Sequence, residues 1–265
     1  MSDAVKVTRD GDVALIELNE PASRNAFSQD IRDGLRDAAA ALTGDATLRA
    51  VVLTGTGGVF SAGGDLKAML RRHKSGEEYS HDTAKARMEA LHDWFKQFCA
   101  LPVPVIAAVD GPAYGAGFGL AMCADIVIAS ERAEFGASFA KVGAVPDCNL
   151  MWSLPRIIGL QKARELFYTA RVVGATEAQA LGICMEVLPP EAVLPRALEI
   201  AGMMQETSQL AFSLTKELTG RALQSDAETM LKLEAEAQAQ CLTSEYHINA
   251  IGRFTEKKPP KFNFS

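Results

Sequence analysis

Two hydrophobic periods alternate along the first half of the chain. Val13-Ala14-Leu15-Ile16-Glu17-Leu18 is a short apolar run closed by Pro21, and it predicts a strand. Ser28 then offers a helix N-cap, and the spacing predicts a helix to about Leu42. Arg49-Ala50-Val51-Val52-Leu53-Thr54 predicts a second strand, apolar enough to be buried on both faces, and it runs into the turn Gly55-Thr56-Gly57-Gly58. Asp65 caps a helix that starts at Leu66. Residues 71–83, with Gly76, read as a polar, mobile loop. Residues 84–99 predict a helix with Met88, Leu91, Phe95 and Phe98 on one face, and 103–109 predict a third strand. This alternation is that of right-handed crossover α/β folds. The second half predicts helices near 149–158, 160–170, 176–182, 191–206, 208–223, 226–241 and 244–257. Asn149, Thr176 and Ser208 are the expected N-caps, and Glu177 places a carboxylate in a first turn. Lys257-Lys258-Pro259-Pro260-Lys261-Phe262 cannot continue a helix.

Composition narrows the class. Hydrophobic residues are 48% of 265 and charged residues 23%, which excludes a disordered or collagen-like chain. The 27 basic against 33 acidic side chains give a net charge of −6, which disfavours a nucleic-acid partner. No run of 18 apolar residues occurs, so no membrane span is expected. The opening Met1-Ser2-Asp3-Ala4 has no basic or apolar leader, so the expected location is cytoplasmic. The five cysteines (Cys99, Cys123, Cys148, Cys184 and Cys241) are odd in number and widely spaced, a pattern expected of reduced thiols. His73, His81, His92 and His247 show no metal-ligand spacing, and no metal is expected.

Two glycine-rich turns carry the candidate chemistry. Phe60-Ser61-Ala62-Gly63-Gly64-Asp65-Leu66 follows a strand and opens a helix. Asp110-Gly111-Pro112-Ala113-Tyr114-Gly115-Ala116-Gly117-Phe118-Gly119 also follows a strand and precedes the apolar stretch from Leu120 to Ala124. Small residues let a ligand approach the backbone, and two N–H sources facing each other make an oxyanion hole. Close packing at strand-to-helix turns explains either turn alone. Neither turn has the spacing of a phosphate-binding or dinucleotide loop.

These two turns, with Ala124-Asp125-Ile126, Phe135-Gly136 and Lys141-Val142-Gly143, resemble the enoyl-CoA hydratase/isomerase (crotonase) superfamily. The early segment from Leu18-Asn19-Glu20-Pro21 to Ala26-Phe27, the late Gly174-Ala175-Thr176-Glu177-Ala178 and Phe254-Thr255-Glu256-Lys257 match as well, in the family's order. The resemblance implies a spiral of β-β-α units over 1–200 and a helical trimerisation region over 201–265. It also implies an acyl-CoA thioester substrate, no cofactor beyond the CoA of the substrate, and a homotrimer or dimer of trimers. Gly64 and Ala116 would supply the oxyanion-hole N–H groups. Ala22, Arg24, Ala62, Gly63, Asp65 and Leu66 would hold the CoA, with Phe254 and Lys257 reaching an adenine site on a neighbouring subunit.

The family's hydratases carry two glutamates, and those positions here are Gly119 and Phe139. One acid remains. Pro146-Asp147-Cys148, followed by Trp152-Ser153-Leu154-Pro155-Arg156, is similar to the isomerase-like subgroup, which carries an aspartate after proline. Moving a double bond needs one base, and an apolar pocket of Phe118, Phe139 and Trp152 would raise the Asp147 pKa to suit it. The subgroup has glycines where this chain has Asn149 and Leu150, which puts the tilt of Asp147 in question. Asp147 as a cap of the next helix is the competing reading. Asp65 reads as a cap, Asp125 as a structural acceptor, Cys148 as no nucleophile, and Arg71-Arg72-His73-Lys74 as a solvated face. Isomerisation of 3-enoyl-CoA to 2-enoyl-CoA is the expected activity. A hydratase or other acyl-CoA lyase or hydrolase, and a silent CoA-thioester- or RNA-binding protein, are the rivals.

Overall fold

A computed structural model describes residues 3–75 and 80–264, and its strands follow the apolar runs. They are β1 (Val5–Asp10), β2 (Val13–Leu18), β3 (Ala50–Gly55), β4 (Val105–Val109), β5 (Pro112–Tyr114), β6 (Ile126–Ser130), β7 (Glu134–Gly136), β8 (Val172–Gly174) and β9 (Glu186–Leu188). The helices are α1 (Gln29–Thr43), α2 (Leu66–Lys74), α3 (His81–Cys99), α4 (Ala116–Ala121), α5 (Leu150–Ile158), α6 (Leu160–Thr169), α7 (Ala175–Ala180), α8 (Pro190–Met204), α9 (Gln209–Ala222), α10 (Ala227–Leu242) and α11 (Glu245–Thr255). Six strands form one sheet in the order β1-β2-β3-β4-β6-β9, parallel except for the β1–β2 pair. A second sheet holds β5, β7 and β8.

Both faces of the large sheet are covered, which is why β3 and β4 are apolar throughout. One face packs Val52, Ile106 and Ile128 against Val193, Ala197 and Ile200 of α8. The other packs Leu53, Val105 and Val109 against Leu35 of α1, Phe95 and Phe98 of α3, and the small sheet. After leaving the large sheet the chain repeatedly makes a short extended segment, then a helix. β4 leads to β5 and α4, and β6 leads to β7 and α5. The same step after β2 and β3 survives as two parallel bridges, Phe27 with Gly64 and Ser61 with Ala113. Successive turns of the spiral therefore stack their glycine-rich corners on one another.

Several expectations need correction. Within the expected loop, 71–74 complete α2, and α3 already starts at His81, where the Ser80 hydroxyl accepts the Thr83 N–H (3.3 Å). The basic last turn of α2 complements its carbonyl end, so local capping outweighs polar composition. Gly76 lies outside the described residues. Ser28, Asp65 and Ser208 are N-caps as expected. Asn149 holds the N-cap position of α5 without a side-chain cap bond, and Thr176 lies inside α7. Cys99 and Cys123 form a disulfide, with Cα atoms 5.2 Å apart, against the expectation of reduced thiols. Their separation of 24 positions along the chain closes in space, because the end of α3 meets the chain just past α4.

A buried amide fastens the first glycine corner. Asn25 is fully buried in a left-handed conformation (φ 53°). Its Nδ2 donates to the carbonyls of Thr56 (3.0 Å) and Val59 (2.7 Å), and its Oδ1 accepts from the Glu20 N–H (2.9 Å). Its carbonyl accepts the Ser61 hydroxyl (2.7 Å), whose oxygen in turn accepts the Gly63 N–H (3.1 Å). At the far side, Lys216 of α9 donates to Asp125 Oδ2 (2.7 Å) and to the Val103 carbonyl (3.2 Å), tying the C-terminal helices to the sheet. Asn25→Ala orphans three partners of the amide, and each stranded group costs about 1 kcal/mol or more. Chemical denaturation is expected to show a loss of about 2–4 kcal/mol for this variant, with Asn25→Asp recovering little because a carboxylate cannot donate.

Candidate active site

The stacked corners put Gly63-Gly64 against Tyr114-Gly115-Ala116. Tyr114 N–H donates to the Ser61 carbonyl (2.9 Å), and Ser61 N–H donates to that of Pro112 (3.0 Å). Gly63 has φ 85°, and a Cβ there would collide with the Tyr114 carbonyl and come within 3.4 Å of the Ala116 nitrogen. Only glycine permits this approach. Among the described residues, neither the Gly64 nor the Ala116 N–H has a hydrogen-bond acceptor. Two unpaired donors therefore sit on adjoining corners, the arrangement an oxyanion requires.

The segment expected to hold CoA runs beside them. Ala62 N–H donates to the Arg24 carbonyl (2.9 Å) and Phe27 N–H to that of Gly63 (2.7 Å). Ala22 and Arg24 are exposed on this edge, Leu66 is 53% exposed, and Asp65 caps α2 through the Ala68 N–H (2.9 Å). Phe254 and Lys257 are not brought to these corners within one chain. They close α11, where Phe254 is 84% exposed.

The three aromatic side chains expected to form one pocket are dispersed. Phe118 points from α4 into the core, fully buried, with its ring 5.4 Å from Phe135. Phe139 lies over the second corner, 3.8 Å from where a Gly115 Cβ would be. Trp152, on the outward side of α5, is 39% exposed beneath the Arg156 guanidinium (4.1 Å). It lines a cavity of about 1060 Å³ with His92, Asn149 and Ser153.

Asp147 sits at the turn into α5. The following Cys148 (φ 49°) and Asn149 (φ 63°) are both left-handed. For a residue with a Cβ this costs of order 1–3 kcal/mol, less for asparagine. The expected crowding at Asn149 and Leu150 is thus displaced by one residue: Leu150 is buried in the core and the strained position is Cys148. The backbone of Cys148 presses on α4 at Gly119, where a Cβ would lie 2.5 Å from the Cys148 carbonyl oxygen and 2.7 Å from its Cβ. Gly119 is one helical turn after Ala116, so the residue that follows Asp147 packs against the middle of α4.

The Asp147 carboxyl does not cap α5. Its Oδ1 is buried and has no hydrogen-bond partner among the described residues, and only its main-chain carbonyl meets the helix, accepting the Leu150 N–H (3.0 Å). Burial pushes its pKa above the ordinary aspartate value, while the Cys148 thiol and the His92 charge pull it down. Burial and the neighbouring Asp147 push the Cys148 thiol well up, so it is inert as a nucleophile. Sequence reasoning missed Asn25 and Ser61. Their signal was an amide and a hydroxyl flanked by small and apolar residues, which propensity alone assigns to the surface.

A profile of the enoyl-CoA hydratase/isomerase family matches residues 8–264. The chain is 32% identical over 251 residues to a crotonyl-CoA hydratase of Syntrophomonas wolfei, covering 94% of each. It is also 32% identical to a short-chain-enoyl-CoA hydratase of Clostridium acetobutylicum, over 96% of this chain and 95% of that one. A crystal structure of an enoyl-CoA hydratase/isomerase from Cupriavidus metallidurans superposes with a TM-score of 0.91 at 37% identity, covering 98% and 96% of the two chains. Profile, relatives and superposed fold agree over nearly the whole length, and the chain belongs to the enoyl-CoA hydratase/isomerase family of enzymes.

Proposed function

We propose that this enzyme moves a double bond in an acyl-CoA thioester, from the 3-enoyl to the 2-enoyl position, with Asp147 as its single base. The thioester carbonyl oxygen would sit between the N–H groups of Gly64 and Ala116. CoA would lie along Ala22, Arg24 and the 62–66 loop. Asp147 removes a proton from the α-carbon, the two N–H groups hold the enolate oxygen, and the carboxylic acid returns the proton to the γ-carbon. The observation that carries this reading is the buried, unpartnered Oδ1 of Asp147 beside α4. A carboxylate oxygen with no structural bond to make is free to exchange a proton with a substrate.

Absence of the hydratase glutamates is built into the packing. A glutamate at 119 has no room beneath the Cys148 backbone. Hydration of a 2-enoyl thioester remains a second reading, favoured by the names of the relatives. Assays with 3-enoyl-CoA and 2-enoyl-CoA side by side separate the two. Fast conversion of the first with slow hydration of the second is expected, and the reverse order overturns the isomerase reading.

We also propose that α9, α10 and α11 dock on further copies of this chain. None of the three has a fully buried residue, while Leu231, Ile248 and Phe254 are 65%, 62% and 84% exposed. Light scattering at micromolar concentration should give a trimer or a multiple of it, and a monomer would contradict this.

Asp147→Asn is expected to lower turnover by about 10²–10⁴-fold. Because burial raises the carboxyl's pKa, turnover should rise with pH through a midpoint above the ordinary aspartate value. Stability runs the other way: it is full below the ordinary value and declines as pH climbs through the raised one. The amide variant should therefore be at least as stable as the parent at neutral pH, measured by its Tm. Gly119→Glu with Phe139→Glu should unfold at lower temperature and gain no useful hydratase activity.

A further inference from the structure

Three helices bring arginines to one groove. Arg32 of α1, Arg72 of α2 and Arg87 of α3 all line a cavity of about 280 Å³ on the face these helices share. Leu91 and Trp94 of α3 line it as well, and both are buried. Arg72, expected from the sequence to lie on a solvated face, is half-buried here.

The charges around the groove do not balance. Asp33 is the one carboxylate among the described lining residues, and it is already engaged. Arg36 meets its Oδ1 at 2.6 Å, and Gln29 Nε2 donates to its Oδ2 (3.0 Å). Arg36 also pairs with Asp37 (2.9 Å). The guanidiniums of Arg32, Arg72 and Arg87 therefore stand as a local surplus of positive charge in a chain whose net charge is −6. Arg32 is half-buried, and its printed bonds go to neutral acceptors: Nε donates to the Ser28 carbonyl (3.3 Å) and Nη2 to Gln29 Oε1 (2.9 Å). Burial and then the Arg72 charge hold its pKa below the ordinary arginine value; Arg87 acts the same way, against the pull of Asp33 and Asp65. Like charges gathered beside buried apolar side chains repel one another, and a polyanion between them reverses the sign of the interaction. Each guanidinium has five N–H donors, so the bonds it makes within the protein still leave it able to share an anion.

We propose that the groove between α1, α2 and α3 is a binding site for the diphosphate group of a small phosphorylated ligand, separate from the acyl-CoA site. The charge surplus suits a polyanion better than a single carboxylate, and the planar forks of arginine match phosphate oxygens two at a time. The volume holds one small group. The separation follows from the lining: Ala22, Arg24 and residues 62–66, the edge that would hold CoA, are not among the described residues of the groove. Arg72 lies six residues beyond Leu66, about 9 Å farther along α2. The proposal does not depend on which double-bond chemistry the enzyme performs.

The test is calorimetric titration of the full chain with inorganic pyrophosphate at fixed ionic strength. One saturable site per chain is expected, and pyrophosphate should raise the Tm of the parent. Arg32→Gln and Arg87→Gln should each weaken binding by about tenfold or more, the worth of a charge-assisted hydrogen bond. Arg87 is exposed, so its variant should fold even if that of Arg32 does not. Arg164→Gln, at an exposed position of α6, removes the same charge elsewhere and should bind as the parent does. No saturable binding, or equal affinity in the parent and the folded groove variants, overturns the proposal. Equal weakening in Arg164→Gln overturns it too, because the attraction would then belong to the whole surface. Saturating CoA should leave pyrophosphate bound. Displacement by CoA but not by pantetheine, which has no phosphate, would give the groove to the substrate's own diphosphate and overturn the separate site.

Discussion

Everything at the active end depends on one buried polar contact, the seating of Asn25 on the first glycine corner. A primary amide can donate twice and accept at once, and here it does so to three backbone groups from two separate segments. Through its own carbonyl it also fixes Ser61, and through Ser61 it fixes Gly63. The parallel bridge from Ser61 to Ala113 then carries this order to the second corner. Two unpaired N–H groups from segments about 50 residues apart adjoin because the spiral stacks its corners in register. Donors preorganised in this way would need no rearrangement when charge develops, as the role proposed for them requires.

The second constraint is the strained turn after Pro146. Cys148 and Asn149 adopt a conformation that disfavours side chains, and the turn persists because Cys148 and Leu150 are both anchored in the core. That turn buries Asp147 without giving Oδ1 a partner. A carboxyl kept for stability would have been paired or exposed. Burial favours its neutral form, which fits the role of base proposed for it. The same turn occupies the space above Gly119, so the turn that buries Asp147 also excludes a glutamate there.

Much of this was legible in the sequence. The apolar runs at Val13–Leu18 and in β3 and β4 gave the sheet, because strands buried on both faces leave little ambiguity. Ser28, Asp65 and Ser208 marked helix starts through a local bond that needs no tertiary context. The two glycine corners and Asp147 were visible as motifs. The small sheet was not visible, because strands of three residues such as β5, β7 and β8 carry no periodicity. The Asn25 knot and the Cys99–Cys123 pair are contacts between distant segments, and composition does not encode distance. Phe118 was misplaced for a related reason: its helix of six residues is buried on every side, so no sequence pattern distinguishes the face toward the core from the face toward a ligand.

The central claim is that one carboxyl carries one proton from the α-carbon to the γ-carbon of a thioester. A 3-enoyl-CoA deuterated at C2 measures this directly. With a single base shielded from water, part of the deuterium should appear at C4 of the 2-enoyl product, and the transferred fraction should be greatest in the first turnovers. A product formed rapidly with no deuterium at C4, or one in which water has added across the double bond, would contradict the one-base account.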